Sequence, residues 1–210
     1  MIEPDEAHDD VMVAVLGAGA GSRMAGGLPG QGKLGRALGG QPLGAWALSA
    51  ARGLGLRPVL IAPPGRGWPQ GDLPGVEIVT NPDAASGMAS SLVLAARMAE
   101  NRGAARLLVM LADMPFVTGQ TLRALVAQTG PDEVTACRYG DGRLGPPACF
   151  GARRLAALRH LAGDTGARHL LGQPGFADGM AVAPGELIDI DTDEDLRQAQ
   201  TLAGSSGLFG

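Results

Sequence analysis

The sequence predicts an α/β fold in which helices cover both faces of a mostly parallel sheet. Short apolar runs alternate along the chain with segments of helical spacing, and these runs are apolar on both faces, as strands between two helical layers are. The predicted strands are residues 11–16, 58–62, 76–80, 106–112, 133–138, 146–151 and 187–190. The predicted helices are residues 42–52, 90–102, 119–128, 152–162 and 193–203.

Each predicted strand is a short run rich in apolar residues, and each predicted helix repeats apolar residues three or four positions apart. Residues 133–151 differ, because two short runs are joined by YGDGRLG. This pattern predicts a hairpin, or an antiparallel excursion at the edge of the sheet. Ligands of open α/β sheets bind at the carboxyl ends of the strands, so residues that follow strands are the first candidates for function.

The composition narrows the classes of partner. The chain has 210 residues, a formal net charge of -4 and no basic run, which argues against nucleic acid and anionic membranes and favours a small neutral or anionic ligand. Cys137 and Cys149 fit no metal-binding spacing, so we expect core thiols in a cytoplasmic protein. We expect one domain over residues 11–203, a disordered extension at 1–10 and a flexible tail at 204–210, without a membrane span.

A glycine-rich segment follows the first predicted strand, and three kinds of phosphate-binding loop could account for it. A dinucleotide-binding loop needs G-x-G-x-x-G, but Ser22 stands where the third glycine should be. A P-loop fits Gly27 to Lys33, but Leu34 stands where Ser or Thr would hold magnesium. The third possibility is a loop whose backbone N–H groups face a nucleoside triphosphate, which glycine permits because no side chain blocks the approach.

Two basic residues favour the third possibility. Arg23 offers a forked donor to the outer phosphates, and Lys33 would reach the phosphate under attack. Lys33 is the only lysine in the chain, although the sequence has 17 basic residues. A compact ammonium charge is therefore used at this position alone. The alternative is a lysine that lies by chance on a solvated loop.

Five groups of motifs occur in order along the chain. They are LGAGAGSRM with KLGRALGGQPL, NPDAASGMASSL at 81–92, LADMP at 111–115, GPPACF with GDTGARHLL within 145–171, and DIDTDEDL at 189–196. Together these motifs resemble the MobA-like nucleotidyltransferases, and most closely the branch that makes the cytidine form of the molybdenum cofactor. The resemblance implies a three-layer Rossmann-like nucleotidyltransferase fold over residues 11–203.

The resemblance also implies a reaction and the residues that serve it. Such an enzyme moves CMP from CTP to the terminal phosphate of the molybdenum cofactor, molybdopterin, with Mg²⁺ and with release of pyrophosphate. Lys33, Arg23 and Asp113 are the implied catalytic residues. The implied nucleotide-binding residues are Leu16, Gly17, Ala18, Gly19, Gly21, Ser22, Asn81, Gly87, Ser90 and Ser91. Serine at the start of the helix at 90 also fits a helix N-cap.

Carboxylates after two predicted strands are the candidate metal ligands. Asp113 follows the strand at 106–112 and is a natural magnesium ligand, together with phosphate oxygens and water. In the sequence IDID, strand alternation sends Asp189 and Asp191 to one face and both isoleucines toward the core, and the family pattern favours Asp191. Thr192 and the acidic residues after it fit a helix-capping signal equally well.

The acceptor side departs from the family pattern at two positions. Pro146 replaces the histidine of Gly-His-Pro, and Thr165 replaces a lysine. The matching residues, which are candidate acceptor ligands, are Gly145, Pro147, Asp164, Gly166 and Arg168. Three alternatives therefore stay open: a sugar or alcohol phosphate as acceptor, GTP as donor, and a non-catalytic carrier or insertion chaperone. The implied protein partner is a molybdenum hydroxylase or its insertion factor.

Overall fold

The structure, a computed structural model, describes residues 10–17, 32–65, 68–69, 71–163 and 166–206. Some predictions concern residues outside these ranges. They are the predicted extension as far as residue 9, the tail from residue 207, the loop residues Ala18, Gly19, Gly21, Ser22 and Arg23, and the acceptor-side residues Asp164 and Thr165.

Strands and helices alternate through the described part of the chain. The strands are β1 (Val11–Leu16), β2 (Ala37–Leu38), β3 (Gln41–Pro42), β4 (Val59–Ala62), β5 (Glu77–Thr80), β6 (Arg106–Leu111), β7 (Val134–Arg138), β8 (Leu144–Gly151) and β9 (Asp178–Ala181). The α-helices are α1 (Leu43–Arg52), α2 (Met88–Asn101), α3 (Gly119–Gln128), α4 (Leu155–Leu158), α5 (Arg168–Leu171) and α6 (Asp193–Ser206). Short 3₁₀ helices cover Lys33–Gly35, Ala84–Ser86 and Ala152–Arg154.

Among the described residues, seven strands form one sheet in the order β5-β4-β1-β6-β8-β7-β9. The first four strands in this order pair in parallel. β8 is antiparallel to both of its neighbours, β6 and β7, and β9 then pairs in parallel with β7. The predicted antiparallel hairpin is therefore confirmed. Its predicted place at the sheet edge is wrong, because β9 lies outside it.

The two faces of the sheet bury separate apolar clusters. In β1, Met12 and Ala14 face a cluster that includes Leu92 of α2, whereas Val13 and Val15 face the other cluster, with α1 and α3. This alternation is the period of two expected of a strand. Because both faces are buried under helices, the predicted three-layer α/β architecture is confirmed.

A third apolar cluster fixes the chain just before α6. Ile190 is fully buried there, against Phe116 after β6 and Leu196 of α6. Leu38 of β2 and Leu43, the first residue of α1, belong to the same cluster. The residues that flank Ile190 are thereby held beside the chain that leaves the carboxyl end of β6.

Two predicted elements are wrong. Residues 187–190 form no strand. Ile190 is the one buried residue among them, whereas Ile188 is 36% exposed. The alternation of isoleucine and aspartate therefore reflects a single buried side chain and not a pleated strand. The predicted helix at 152–162 is a 3₁₀ turn followed by α4, which ends at Leu158. The other predicted helices and strands agree with the structure within a few residues at their ends.

The structure also contains elements that the sequence did not predict. They are β2, β3, β9 and the short helix α5. Across the described ranges, every helix is too short or too polar to cross a lipid bilayer.

Candidate active site

The candidate active site lies at the carboxyl ends of β1 and β6, where three segments meet. Lys33 begins the 3₁₀ helix that precedes β2, Asp113 follows β6, and Asp191 precedes α6. The carbonyl oxygen of Leu16, at the end of β1, accepts a 3.1 Å hydrogen bond from the N–H of Ala112. The ends of the two strands are thus joined beside Asp113, at the edge where α/β sheets bind their ligands.

Lys33 lies between two of the predicted metal ligands. Its Nζ atom is 2.6 Å from Oδ2 of Asp113 and 2.7 Å from Oδ1 of Asp191. The lysine side chain is 7% exposed, whereas the Asp191 side chain is 48% exposed. The structure therefore brings together three residues that the sequence singled out separately, and it places the ammonium group against the carboxylates.

The pKa of Lys33 lies above its usual value. Burial alone would lower it, but the charge and hydrogen bond of Asp113, followed by those of Asp191, outweigh the loss of solvent. Lys33 is therefore a charged ammonium at neutral pH. It supplies a fixed positive charge at the end of the sheet.

Asp113 is held by its backbone as well as by its side chain. Its carbonyl oxygen accepts a 3.0 Å hydrogen bond from the N–H of Ile190, which ties the two acidic segments together. Its second carboxylate oxygen, Oδ1, is buried and has no hydrogen-bond partner among the residues that the structure describes. A buried, unpaired carboxylate oxygen is a donor that a hard cation such as Mg²⁺ would satisfy, so this site fits the predicted metal.

The pKa of Asp189 is raised, first by burial and then by the like charges of Asp191 and Asp113. The described residues contain no cluster of three or more His, Cys, Asp or Glu side chains with metal-binding geometry. A magnesium ion held by one or two carboxylates together with phosphate oxygens needs no such cluster. Asp113 and Asp191, which share Lys33, are the pair best placed for it.

The start of α6 shows that the capping interpretation of this segment is also right. The N–H of Asp195 donates to Oγ1 of Thr192 at 3.1 Å, and the N–H of Thr192 donates to Oδ2 of Asp195 at 2.7 Å. This is a reciprocal capping box, with Asp in the place of the usual Glu or Gln. The hydrogen bonds from Thr192 and Asp191 hold the pKa of Asp195 below its usual value. The Asp191 carboxylate takes no part in the cap and accepts the hydrogen bond from Lys33.

Glu186 is a residue of this region that sequence reasoning missed. Its Oε2 atom accepts hydrogen bonds from the N–H and the hydroxyl of Thr118, both at 3.1 Å, and from the hydroxyl of Thr121 at 2.6 Å. Thr118 is the N-cap of α3, with its own hydroxyl accepting from the N–H of Thr121. Glu186 therefore fastens the segment that leads to Asp189 and Asp191 onto the helix that follows Asp113.

On the nucleotide side, Gly17 is the last described residue before the glycine-rich loop. Its N–H donates to the carbonyl oxygen of Ile61 at 2.8 Å. A Cβ atom at this position would lie 3.2 Å from Leu60 and 3.3 Å from the Ile61 carbonyl oxygen. Glycine therefore lets the chain leave β1 in close contact with β4, and Leu16 before it is buried.

Asn81 organises the turn between β5 and α2. It is 2% exposed, and its side-chain amide donates to the hydroxyls of Ser90 at 2.8 Å and Ser91 at 2.9 Å. Its Oδ1 accepts from the N–H of Asp83 at 3.0 Å. Asn81 and the fully buried Ser91 thus support the turn from inside the protein. Their predicted contact with the nucleotide stays a prediction.

The N-cap interpretation of Ser90 is wrong. The N-cap of α2 is Gly87, with φ of 107°, a conformation that an L side chain rarely adopts. The Ser90 hydroxyl instead donates back to the Gly87 carbonyl oxygen at 2.8 Å. Since its one proton is used in this bond, Ser90 has only an acceptor to offer a bound base.

Tyr139, the single tyrosine of the chain, contacts two acceptor-side positions, Gly145 and Pro146. The Tyr139 hydroxyl donates to the Pro146 carbonyl oxygen at 2.8 Å. A Cβ atom on Gly145 would lie 2.8 Å from the Tyr139 ring, so glycine at this position avoids a steric clash with the ring. The Pro146–Pro147 peptide bond is cis.

Tyr139 also connects the acceptor side with the acidic residues. Burial, followed by the charges of Asp189 and Cys137, raises the pKa of Tyr139 to about 12, while Arg168 acts in the opposite direction. Arg168 begins α5 and directly follows a turn in which Gly166 has φ of 54°. Sequence reasoning missed Tyr139, although its position just before GDGRLGPP, and its being the only tyrosine, were signals that could have drawn attention to it.

A Rossmann-like sheet whose strand ends bring a lysine and two aspartates together fits a nucleotidyltransferase domain. The chain belongs to the family of the MobA-like NTP transferase domain, whose model matches residues 13–178.

Three similar proteins can be compared with this chain. Purine catabolism protein PucB of Bacillus subtilis (strain 168) is 37% identical over 116 residues, which are 54% of this chain and 56% of PucB. The chain therefore matches little more than half the length of that curated relative. The crystal structure of Rv0371c from Mycobacterium tuberculosis H37Rv is 26% identical, with a TM-score of 0.75 over 92% of this chain and 98% of that chain.

A second structure of Rv0371c contains manganese; it is 24% identical, with a TM-score of 0.70 over 91% of this chain and 98% of that chain. Molybdopterin-guanine dinucleotide biosynthesis protein A from Archaeoglobus fulgidus is 19% identical, with a TM-score of 0.64 over 92% of this chain and 99% of that chain. At these identities, the two structures show that the fold is shared.

Proposed function

We propose that this protein transfers CMP from CTP to the terminal phosphate of molybdopterin, with release of pyrophosphate and with Mg²⁺ as cofactor. The observation that carries the proposal is the position of Lys33 between Asp113 and Asp191 at the carboxyl ends of the sheet. Transfer between two phosphate-bearing anions requires positive charge and precise placement more than a nucleophilic side chain. Lys33 supplies the positive charge, and Asp113 and Asp191 fix its position.

In the proposed reaction, an oxygen of the acceptor phosphate attacks the α-phosphorus of CTP. The bond between that phosphorus and the bridging oxygen breaks, and pyrophosphate leaves with the electron pair. Lys33 neutralises charge on the phosphate under attack, and Arg23 is proposed to bind the outer phosphates. Asp113 and Asp191 would hold Mg²⁺, which when bound supplies further neutralisation of phosphate charge.

The remaining sequence predictions complete this proposal. The loop from Leu16 to Ser22 is proposed to hold the triphosphate through its backbone. Gly87 and Ser90, braced by Asn81, are proposed to border the base or ribose. The proposed acceptor residues are Gly145, Pro147, Asp164, Gly166 and Arg168, and we add Tyr139 to this set because it contacts Gly145 and Pro146.

The choice of CTP is supported by the motif resemblance. The choice of molybdopterin is supported by that resemblance and by the name of one similar protein, which refers to molybdopterin-guanine dinucleotide biosynthesis. The manganese complex of Rv0371c supports a divalent cation.

The proposed partner is a molybdenum hydroxylase or its insertion factor. The proposed compartment is the cytoplasm, since Cys137 and Cys149 are free buried thiols.

The direct test is pyrophosphate release with each of the four NTPs, with and without Mg²⁺, after addition of purified molybdopterin cofactor. We expect turnover with CTP, and only when both Mg²⁺ and the pterin are present. Turnover with GTP would replace the proposed donor. Turnover only with a sugar or alcohol phosphate would replace the proposed acceptor, and absence of turnover with any acceptor would contradict transfer and favour a carrier.

Two variants sharpen this test. Lys33→Met removes the ammonium and should lower kcat by about 10²–10³, by analogy with loss of one transition-state donor. Arg36→Met is the matched control, because Arg36 lies on the same segment, loses the same charge and pairs with Asp193 at 2.9 Å instead of with the site acids. We expect its kcat to stay close to that of the wild type.

A further inference from the structure

Lys33 occupies the position from which a cation would contact both predicted metal ligands at once. Its Nζ atom lies within 2.7 Å of an oxygen of Asp113 and an oxygen of Asp191. Its side chain is 7% exposed, so the ammonium lies inside the site and not at its rim. The same lysine has a second proposed task, which is to neutralise the phosphate of the nucleotide.

The two tasks make opposing demands on the same ammonium. An ammonium that donates hydrogen bonds to two carboxylates keeps one N–H for a phosphate oxygen, but its positive charge is already offset by the two carboxylates. A divalent cation that entered beside it would meet a like charge at close range, in a site with reduced access to water. A metal ion that binds the two carboxylate oxygens contacted by Lys33 must therefore displace the ammonium from them.

We propose that Lys33 and the divalent cation compete for Asp113 and Asp191, and that the nucleotide phosphates resolve this competition by drawing Lys33 away. This inference rests on the proposed function, and it concerns the order of binding at the same site. It follows that metal and nucleotide bind with positive coupling. Each binds weakly alone, because only the pair together satisfies the lysine and both carboxylates.

The contacts of Asp113 show why the exchange needs little rearrangement. The link from the Ile190 N–H to the Asp113 carbonyl oxygen and the capping box at Thr192 and Asp195 do not involve Lys33. These backbone anchors would stay in place when the lysine moves. The buried Oδ1 of Asp113, which has no hydrogen-bond partner among the described residues, adds a second oxygen for the incoming cation.

The test measures Mn²⁺ binding by electron paramagnetic resonance, without turnover. Wild type, Lys33→Met and Lys33→Gln are titrated with Mn²⁺, alone and with a CTP analogue that has a methylene group between the α- and β-phosphates. Without nucleotide, we expect both Lys33 variants to bind Mn²⁺ roughly tenfold or more tightly than wild type. We also expect the analogue to increase affinity more in wild type than in either variant. Equal Mn²⁺ affinity of wild type and both folded variants without nucleotide would overturn the inference.

Two controls identify the cause of any gain. Arg36→Met removes the same charge from the same segment, so a gain as large as that of Lys33→Met would show a net-charge effect and overturn the inference. The double variant Lys33→Met/Asp113→Asn should lose the gain, and retention of the gain would overturn the inference by placing the metal elsewhere. Thermal melting establishes that each protein is folded.

The failure of this inference and the failure of the proposed function are distinguishable. If wild type transfers CMP but its Mn²⁺ affinity does not depend on Lys33, competition is contradicted and the transferase proposal stands. If Mn²⁺ affinity rises in the Lys33 variants while wild type transfers no nucleotide to any acceptor, the competition stands and the proposed reaction fails.

Discussion

The hydroxyl of Thr121 donates a 2.6 Å hydrogen bond to the Glu186 carboxylate, and this contact joins the first turn of α3 to the segment that carries the site's second acidic group. Together with the bond from Ile190 to Asp113, it holds that segment at two points. The position of Asp191 relative to Asp113 is therefore set by hydrogen bonds in which Lys33 takes no part.

Glu186→Ala should weaken both the fold and the reaction. It leaves the N-cap Thr118 and Thr121 without their acceptor, which should lower the free energy of unfolding by about 1–3 kcal/mol. Loss of the anchor should also displace the acidic segment and reduce kcat by about tenfold to a hundredfold. Urea unfolding and steady-state kinetics measure the two effects.

The conservative change Glu186→Gln distinguishes positioning from mere stability. Its amide oxygen can still accept from Thr118 and Thr121, so most of kcat should return. The matched control is Glu194→Ala on the exposed face of α6, where Glu194 pairs with Arg197, and its effect should stay within about 0.5 kcal/mol. A Glu186→Ala protein with unchanged kcat would contradict the positioning role.

Asp195→Asn should show a pH-dependent loss of stability. Because the folded-state pKa of Asp195 is lowered from 3.8 by its bonds to Thr192 and Asp191, its charge stabilises the fold above about 3.8 and this contribution disappears as pH falls through the lower folded-state value. At neutral pH the variant should be less stable by up to about 1 kcal/mol. Urea unfolding between neutral and acid pH should show wild type and variant converging. A difference that is constant with pH would rule out the charge as its source.

Tyr139→Phe should affect acceptor binding more than nucleotide binding. The change removes the hydrogen bond to the Pro146 carbonyl oxygen and should lower the free energy of unfolding by about 1 kcal/mol. Since the ring contacts the proposed acceptor residue Gly145 and the charge of Arg168 acts on the Tyr139 hydroxyl, KM for the acceptor should rise while KM for CTP stays near that of wild type. Equal increases in both constants would argue against a place on the acceptor side.

Thiol labelling tests the burial of the cysteines. Burial raises the pKa of Cys137 to about 12 and that of Cys149 to about 11, so the reactive thiolate is scarce at about pH 8. Native protein should react slowly with a disulfide reagent, whereas protein unfolded in guanidinium chloride should show two thiols at once. Fast reaction of either cysteine in native protein would contradict the burial described for it.

The sequence was most informative where one local rule decided the structure. The apolar runs that became β1, β4 and β6 are buried on both faces, so their composition alone predicted central parallel strands. β9 escaped prediction because it is an edge strand with Met180 as its one large apolar residue. The strand predicted at 187–190 was wrong because one buried isoleucine was sufficient to produce a pattern that resembles alternation.

The residue types of the site could be predicted, but their arrangement could not. Lys33 was singled out as the only lysine, and Asp113 as the acid that follows a buried strand. Their contact joins positions 80 residues apart, which no local pattern records. Glu186 gave no signal, because an acid after a glycine in a loop resembles any solvated residue until its three hydrogen bonds are seen.

The contact between Lys33 and Asp191 spans 158 positions of the chain, and this distance governs when activity can appear as the protein folds. Contacts so remote form only after the intervening strands and helices have found their places, since closing a long loop costs conformational entropy that earlier packing must offset. In a partly folded chain in which β1 has formed but α6 has not yet packed, Lys33 lacks its partner Asp191. Recovery of catalysis during refolding should therefore follow the slowest structural phase and not precede it.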